Sequence, residues 1–197
     1  AYPVSFLTAY LALRQAGAKP GEKVLVQAAA GALGTASVQV AKAMGLKVLA
    51  SASRPEKLDL PQALGAEAVA SYAELPEKAR AFGGVDILLE VRGSQLEESL
   101  SLLNPGGRLV YIGAAEGEVA PLNPLRLMRR NLTVMGFWLA PILREKALVQ
   151  EALRFLLPRL GRELKPVVGR VFPFPEAEAA FQALLDRGHV GKIVVRL

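Results

Sequence analysis

Gly31 and Gly34 stand three residues apart in Ala28-Ala29-Ala30-Gly31-Ala32-Leu33-Gly34, directly after the apolar run Lys23-Val24-Leu25-Val26-Gln27. A glycine in this place lets backbone approach a pyrophosphate with no Cβ between them, and a second lets the following helix close on the strand. The N–H groups of Ala32 and Leu33 would then face phosphate oxygens from a helix N-terminus, where unpaired donors and the helix dipole favour an anion. The first glycine of a Gly-x-Gly-x-x-Gly loop is missing; Ala28 instead opens an Ala-x-x-Gly-x-x-Gly spacing. Two glycines in a tight strand–helix turn need no ligand to explain them. The dinucleotide reading is favoured by their place after one apolar strand and ahead of a second.

That second run, over 47–52, leads into Ser53 and Arg54, and the first acid after it is Glu56. A site for NAD usually carries Asp or Glu here, to accept the ribose hydroxyls. Ser53, Arg54 and Lys57 offer a hydroxyl and two cations instead, donors suited to a 2′-phosphate. A solvated turn could carry the same basic residues but would not account for the missing acid. The expected ligand is therefore NADPH rather than NADH.

These groups are useful only if regular elements bring them together. Apolar spacing, with Gly and Pro as punctuation, predicts helices over 5–16, 32–44, 55–64, 74–82, 95–103, 144–160 and 175–187. Strands are predicted over 23–27, 47–52, 68–70, 86–91, 108–113, 132–139, 167–172 and 192–196, with a turn at 104–107. Short strands with continuous apolar stretches such as Ile87-Leu88-Leu89, alternating with helices, make a parallel sheet buried on both sides. Right-handed crossovers then give an α/β fold, a Rossmann-type doubly wound parallel sheet with helices on both faces; the order 3-2-1-4-5-6 is expected because nucleotide-binding sheets of this kind use it.

Composition removes other chemistries. The chain has 197 residues, 52% of them hydrophobic and 21% charged, with no Cys and one His. Disorder, a disulfide framework, a thiolate nucleophile and a Cys-ligated zinc are excluded, and no metal site is expected. His189 reads as a turn residue. The net charge of +6 is scattered, densest at Arg126, Arg129 and Arg130, and no aromatic residues interleave with it, so nucleic acid is not expected as a partner. Residues 24–41 carry no charge but are broken by Gln27, Gly31, Gly34, Thr35, Ser37 and Gln39, so no membrane span is expected. No signal peptide is visible, which makes the expected location cytoplasmic. The start at Ala1-Tyr2 points to a segment upstream, and the scarcity of Asn leans towards a thermophilic source.

Val24 to Gly34, the stretch Val-Gln-Val-Ala-Lys-Ala-Met-Gly (38–45), Ser-Arg-Pro-Glu-Lys-Leu (53–58), Leu-Gly-Ala (64–66), Pro-Gly-Gly-Arg-Leu-Val-Tyr-Ile-Gly (105–113) and Gly-His-Val-Gly-Lys-Ile-Val-Val (188–195) together resemble the medium-chain dehydrogenase/reductase superfamily. Within it they resemble the zinc-free quinone oxidoreductase branch. The resemblance covers essentially the whole chain. It implies a nucleotide-binding domain over 1–165 and a C-terminal segment over 166–197 that packs, in the family, on an N-terminal catalytic domain not contained here. The strands at 167–172 and 192–195 would then lack their usual partners.

The same resemblance implies roles for individual residues. Lys57 and Tyr72 match positions that grip the 2′-phosphate, and Thr8 matches a residue near the nicotinamide. Val91, Ile112 and Gly113 match residues lining that ring, and Phe137, Trp138 and Leu139 match residues that bond the carboxamide through backbone. Each has a plainer reading: Tyr72 as a helix-packing residue, Trp138 as a core aromatic, Thr8 as a surface hydroxyl. Val91-Arg92-Gly93 departs from the family by placing a charge where small residues or Pro are common, which would alter the pocket rim.

The implied activity is hydride transfer from NADPH to a quinone or α,β-unsaturated carbonyl, with no catalytic residue identified in this chain. A non-enzymatic dinucleotide-binding module and the cofactor domain of a zinc alcohol dehydrogenase are the alternatives. The apolar run 131–138 reads as the edge strand of the sheet, and an exposed edge of this kind points to a homodimer.

Overall fold

The computed structural model describes residues 2–186 and 188–197. In chain order, α1 (Pro3–Gln15) leads to β1 (Lys23–Val26), α2 (Ala32–Ala43), β2 (Lys47–Ala52), α3 (Asp59–Ala63), β3 (Ala68–Ser71), α4 (Leu75–Ala81), β4 (Val85–Glu90), α5 (Leu96–Leu102) and β5 (Leu103–Tyr111). Then follow α6 (Pro124–Arg130), β6 (Thr133–Gly136), α7 (Leu139–Ile142), α8 (Lys146–Leu156), β7 (Val168–Pro173), α9 (Ala177–Leu185) and β8 (Lys192–Arg196). Six strands form one sheet in the order β3-β2-β1-β4-β5-β6, parallel at every pairing. This is the doubly wound sheet the sequence predicts.

Alternation along each strand sends side chains to two separate cores. Val24 and Val26, Val48 and Ala50, and Ile87 and Leu89 enter one core, closed by Phe6 and Leu13 of α1, Val38 and Val40 of α2 and Leu156 of α8. Leu25, Leu49 and Leu88 enter the other, closed by Leu75 and Ala79 of α4 and Leu96 and Leu100 of α5. All of these side chains are buried. Each large one contributes about 1.5–3 kcal/mol by leaving water.

Several elements differ from the sequence expectation, each for a local reason. The helix expected over 55–64 is a 3₁₀ turn at Pro55–Lys57 followed by α3. Pro61 has no N–H to give the carbonyl four residues back, so a continuous helix lacks a rung there. Pro158 acts likewise on the helix expected over 144–160, which ends as α8 and continues as a 3₁₀ turn, Leu157–Arg159. The turn expected at 104–107 is an interruption inside β5: Leu103 pairs with Val85, and pairing resumes at Arg108 with Ile87. The run expected over 132–139 holds a strand only at Thr133–Gly136, and α7 takes its end. The last helix, expected to reach 187, ends at Leu185, and Arg187 lies outside the described residues. Sequence reasoning overlooked α6 altogether. Its signals were present: Asn123 caps it by accepting from the Leu125 N–H at 3.0 Å, Pro124 opens it, and Arg129 and Arg130 close it.

After α8 the chain makes a small second layer. Strands β7 and β8 pair with each other in parallel, with α9 between them in sequence, around Phe172, Ala180 and Ala183. Hydrogen bonds to α2, to the loop after β1 and to α1 fasten this segment to the main body. Gln39 donates to the Lys165 carbonyl at 3.0 Å and accepts from its N–H at 2.7 Å. The Gly191 N–H donates to the Ala30 carbonyl at 2.7 Å, and Lys192 Nζ donates to Ser5 Oγ at 2.5 Å. The C-terminal segment therefore lies against the loop between β1 and α2.

Candidate functional site

Strand order reverses between β1 and β4, and in an open parallel sheet the crevice lies there, outside the carboxyl ends of the strands. A trench runs along those ends as three adjoining clefts. Ala28, Ala30, Gly31, Ala52, Ser53, Lys57, Tyr72, Arg92, Ala115, Glu116 and His189 line the first. The middle one, lined by Gln27, Ala32, Gly34, Val91, Gly113 and Ala114 among others, shares Ala28, Gly31 and Ala115 with the first. It shares Leu33 and Ile112 with the third, which adds Val4, Thr8, Phe137, Trp138, Leu139, Ala140 and Leu143. The trench gathers every site residue named from the sequence except Arg54. That side chain is exposed and forms no part of the lining.

The two glycines of the loop do different work. A Cβ on Gly34 would sit 2.2 Å from the Ala28 carbonyl oxygen and 2.5 Å from the Ala29 Cα, so α2 can approach β1 only with glycine there. A Cβ on Gly31 would meet only the Ala28 oxygen, at 3.3 Å, and its φ of −79° suits any residue. The fold thus excludes a Cβ at Gly34, whereas one at Gly31 makes a single tight contact, and Gly31 lines the trench. Gly31 is also the N-cap of α2 and supplies no side-chain oxygen to its first N–H groups. Ala28 holds a left-handed φ of +47°, a conformation that costs a non-glycine residue about 1–3 kcal/mol.

In the first cleft, Lys57 Nζ donates to the His189 carbonyl at 3.2 Å. Burial, and then the neighbouring Arg54, hold the Lys57 ammonium below the usual lysine range. Burial raises the Tyr72 phenol above its ordinary value, so it stays a protonated donor. Its ring lies under the Arg92 guanidinium, 4.1 Å from centroid to Cζ. Arg92 Nε also reaches Glu116 Oε1 at 2.9 Å, and Ser94 Oγ bonds the other oxygen of that carboxylate. The charge at Arg92, which the sequence placed at the rim, is thus part of the wall.

Beneath that wall lies a polar network that sequence reasoning missed. Glu90 is fully buried at the end of β4 and accepts from the N–H groups of Arg92, at 2.8 Å, and Gly93, at 3.1 Å. Ser99 Oγ donates to Glu90 and accepts from Gln27 Nε2 at 2.9 Å, and Gln27 Oε1 accepts from the Val91 N–H. These bonds fix the loop that carries Val91 and Arg92. Only the acid that follows the apolar run Ile87-Leu88-Leu89 could have signalled it.

The third cleft is apolar. Phe137 is buried, whereas Trp138 is 71% exposed and so is not a core aromatic. Thr8, 6% exposed, sits in the packed side of α1 rather than on its surface. His189 lies in a loop with Nδ1 3.2 Å from the Ala183 carbonyl. Among the described residues no three His, Cys, Asp or Glu side chains gather as a metal site, and no helix is long and apolar enough to cross a membrane.

Sheet order, glycine turn and trench define a Rossmann-type unit of the dinucleotide-binding class. Residues 32–157 match the family model described as zinc-binding dehydrogenase, and the chain belongs to that family. It is 77% identical to the quinone oxidoreductase of Thermus thermophilus, solved by itself and in complex with NADPH; the TM-score is 0.96, and the match covers 100% of this chain and 64% of that one. It is 32% identical over 206 residues to a quinone oxidoreductase-like protein 2 homolog of Nematostella vectensis, covering 99% of this chain and 56% of the relative. It is 37% identical over 213 residues to the spectinabilin polyketide synthase system protein NorB of Streptomyces orinoci, covering 100% of this chain and 9% of that protein. The chain therefore spans little more than half the length of its quinone oxidoreductase-like relative.

Proposed function

We propose that this chain is the cofactor-binding part of an oxidoreductase that passes hydride from NADPH to a quinone or an α,β-unsaturated carbonyl without zinc. The observation that carries the reading is the continuous trench. It is cationic and hydroxylic at the ends of β2 and β3, open over Gly31 in the middle and apolar beside α7. That sequence of surfaces fits an adenosine 2′-phosphate, a pyrophosphate and a nicotinamide in turn. The choice of a quinone rests on the similarity to the Thermus enzyme, 77% in identity.

When bound, the dinucleotide supplies the hydride. This chain's residues hold and orient it. Ser53, Lys57 and Tyr72 donate to the 2′-phosphate, with Arg54 adding positive charge from outside the lining. Gly31, Ala32, Leu33 and Gly34 present backbone to the pyrophosphate. Thr8, Val91, Ile112 and Gly113 flank the nicotinamide, and backbone at Phe137, Trp138 and Leu139 bonds its carboxamide. Residues 1–165 form the nucleotide domain. Residues 166–197 present Val171, Phe174, Phe181, Leu184 and Leu185, all well exposed, to the domain that contributes the substrate-polarising groups. The protein is a cytoplasmic homodimer of thermophilic origin, joined through the edge strand within 131–138.

Titration of the chain with NADPH and NADH, followed by nicotinamide fluorescence, tests the reading. NADPH should bind tighter by about 1–3 kcal/mol, the worth of one or two charge-assisted bonds. Equal affinities overturn it.

A further inference from the structure

The residues around the phosphate end of the trench include one that should not favour a phosphate. The end of β2 lacks an acid, but Glu116, from the loop after β5, lines the same cleft as Ser53, Lys57 and Tyr72. A carboxylate there repels a phosphate dianion and could accept hydroxyls in its place, which is what an acid does in a site for the unphosphorylated dinucleotide. Arg92 is placed against it. Its Nε lies 2.9 Å from Glu116 Oε1, and its side chain is 12% exposed against 30% for the carboxylate. The guanidinium lies over the Tyr72 ring with Cζ 4.1 Å from its centroid, a cation–π contact that holds it in place. Its backbone is held by the buried Glu90 carboxylate at 2.8 Å. Arg92 is thus held against the Tyr72 ring and by the Glu90 carboxylate, and turned towards Glu116.

We propose that Arg92 determines cofactor preference by neutralising Glu116, so that a cleft containing a carboxylate still accepts a 2′-phosphorylated dinucleotide. The inference rests on the reading of the trench as an NADPH site. Arg92 acts through Glu116 and is a positioning residue; it is not itself the ligand of the phosphate. Whatever else Glu116 touches, removing this cation makes the net charge at this end of the cleft one unit more negative.

The 197-residue chain and its variants Arg92→Gln, Arg92→Lys, Glu116→Gln and the double variant R92Q/E116Q are titrated with NADPH and with NADH at low and high salt. Thermal unfolding serves as the fold control. Arg92→Gln should weaken NADPH about tenfold, the scale of one charge-assisted interaction, and leave NADH within about twofold. The NADPH loss should shrink at high salt. Arg92→Lys should retain most of the affinity. Glu116→Gln alone should increase the preference for NADPH, and the double variant should recover what Arg92→Gln lost. Equal weakening of both nucleotides by Arg92→Gln would mean that the residue only supports the wall. A double variant as weak as Arg92→Gln would mean that Arg92 grips the phosphate directly. Either result overturns the inference, as does an unchanged preference in Glu116→Gln, which reports even if the Arg92 variants do not fold. An unmutated chain without NADPH preference sinks the cofactor reading itself; an intact preference that Arg92→Gln does not move sinks only this inference.

Discussion

At the scale of single residues, the loop between β1 and α2 separates what the fold needs from what a ligand needs. Gly34→Ala drives a Cβ to 2.2 Å from the Ala28 oxygen, so it should destabilise the chain by more than about 2 kcal/mol, as overpacking against fixed backbone does. Gly31→Val should cost much less stability than Gly34→Ala and abolish nucleotide binding, because its side chain fills the space over the turn. If Gly31→Val still binds NADPH by calorimetry, the loop is only a turn. Lys57 gives a second test. Its ammonium titrates below the usual lysine value of about 10.4 because burial and Arg54 disfavour the charge. Lys57→Ala should narrow the gap between NADPH and NADH while leaving NADH almost untouched. In the unmutated chain that gap should be full at neutral pH and fall as pH rises through the lowered lysine pKa, because deprotonation removes the charge the phosphate meets. Lys57→Arg should hold the gap to higher pH. A gap that does not respond to pH in the unmutated chain would remove Lys57 from the site.

At the scale of elements, the site is fixed where strands end rather than by the strands themselves. Strand β4 finishes in a buried carboxylate, and Glu90, Ser99 and Gln27 tie the next loop to α5 and β1. Ser99→Ala unpairs buried groups on both Gln27 and Glu90, which should lower stability by about 1–3 kcal/mol in denaturant unfolding. Replacing Ser99 by a larger side chain would confuse the result with packing, so alanine is the informative change. A loss below about 0.5 kcal/mol would mean that water or a rearranged Gln27 replaces the hydroxyl. The same scale explains the boundaries that sequence periodicity misjudged. Pro61 and Pro158 leave apolar spacing intact while removing a backbone donor, so each pattern continues across a break in the hydrogen-bond ladder.

At the scale of the whole molecule, β6 ends the sheet, paired with β5 on one side only. Thr133 and Gly136 are exposed, and Val134 and Met135 are half-buried. The proposed dimer continues the sheet across this edge. Thr133→Lys places a charge on it, as natural edges do to avoid pairing, and should lower the mass seen by light scattering from dimer to monomer without moving the unfolding transition of the monomer. A monomer at high concentration for the unmutated chain refutes the dimer. Helix α9 presents a second exposed apolar face, with Phe181 at 71% and Leu185 at 68% exposure, larger side chains than a solvated surface usually carries.

A parallel, doubly wound sheet and its glycine turn were legible in the amino acids: alternation sends Val24 and Leu25 to opposite cores, and short connections allow one crossover hand. Strand order was an analogy with nucleotide-binding sheets that the observed order bears out. Counting to the strand carboxyl ends located the glycine loop and the turn of Ser53 and Lys57, whereas Thr8, Tyr72, Val91, Ile112, Gly113, Phe137, Trp138 and Leu139 came from the resemblance to the family. The pairing of β7 with β8, the bond from Gly191 to Ala30 and the meeting of Arg92, Tyr72 and Glu116 emerge only from the folded chain. Those contacts join residues far apart in the chain through loops. No periodicity records where two loops meet, since their approach is set by the packing of the elements that carry them.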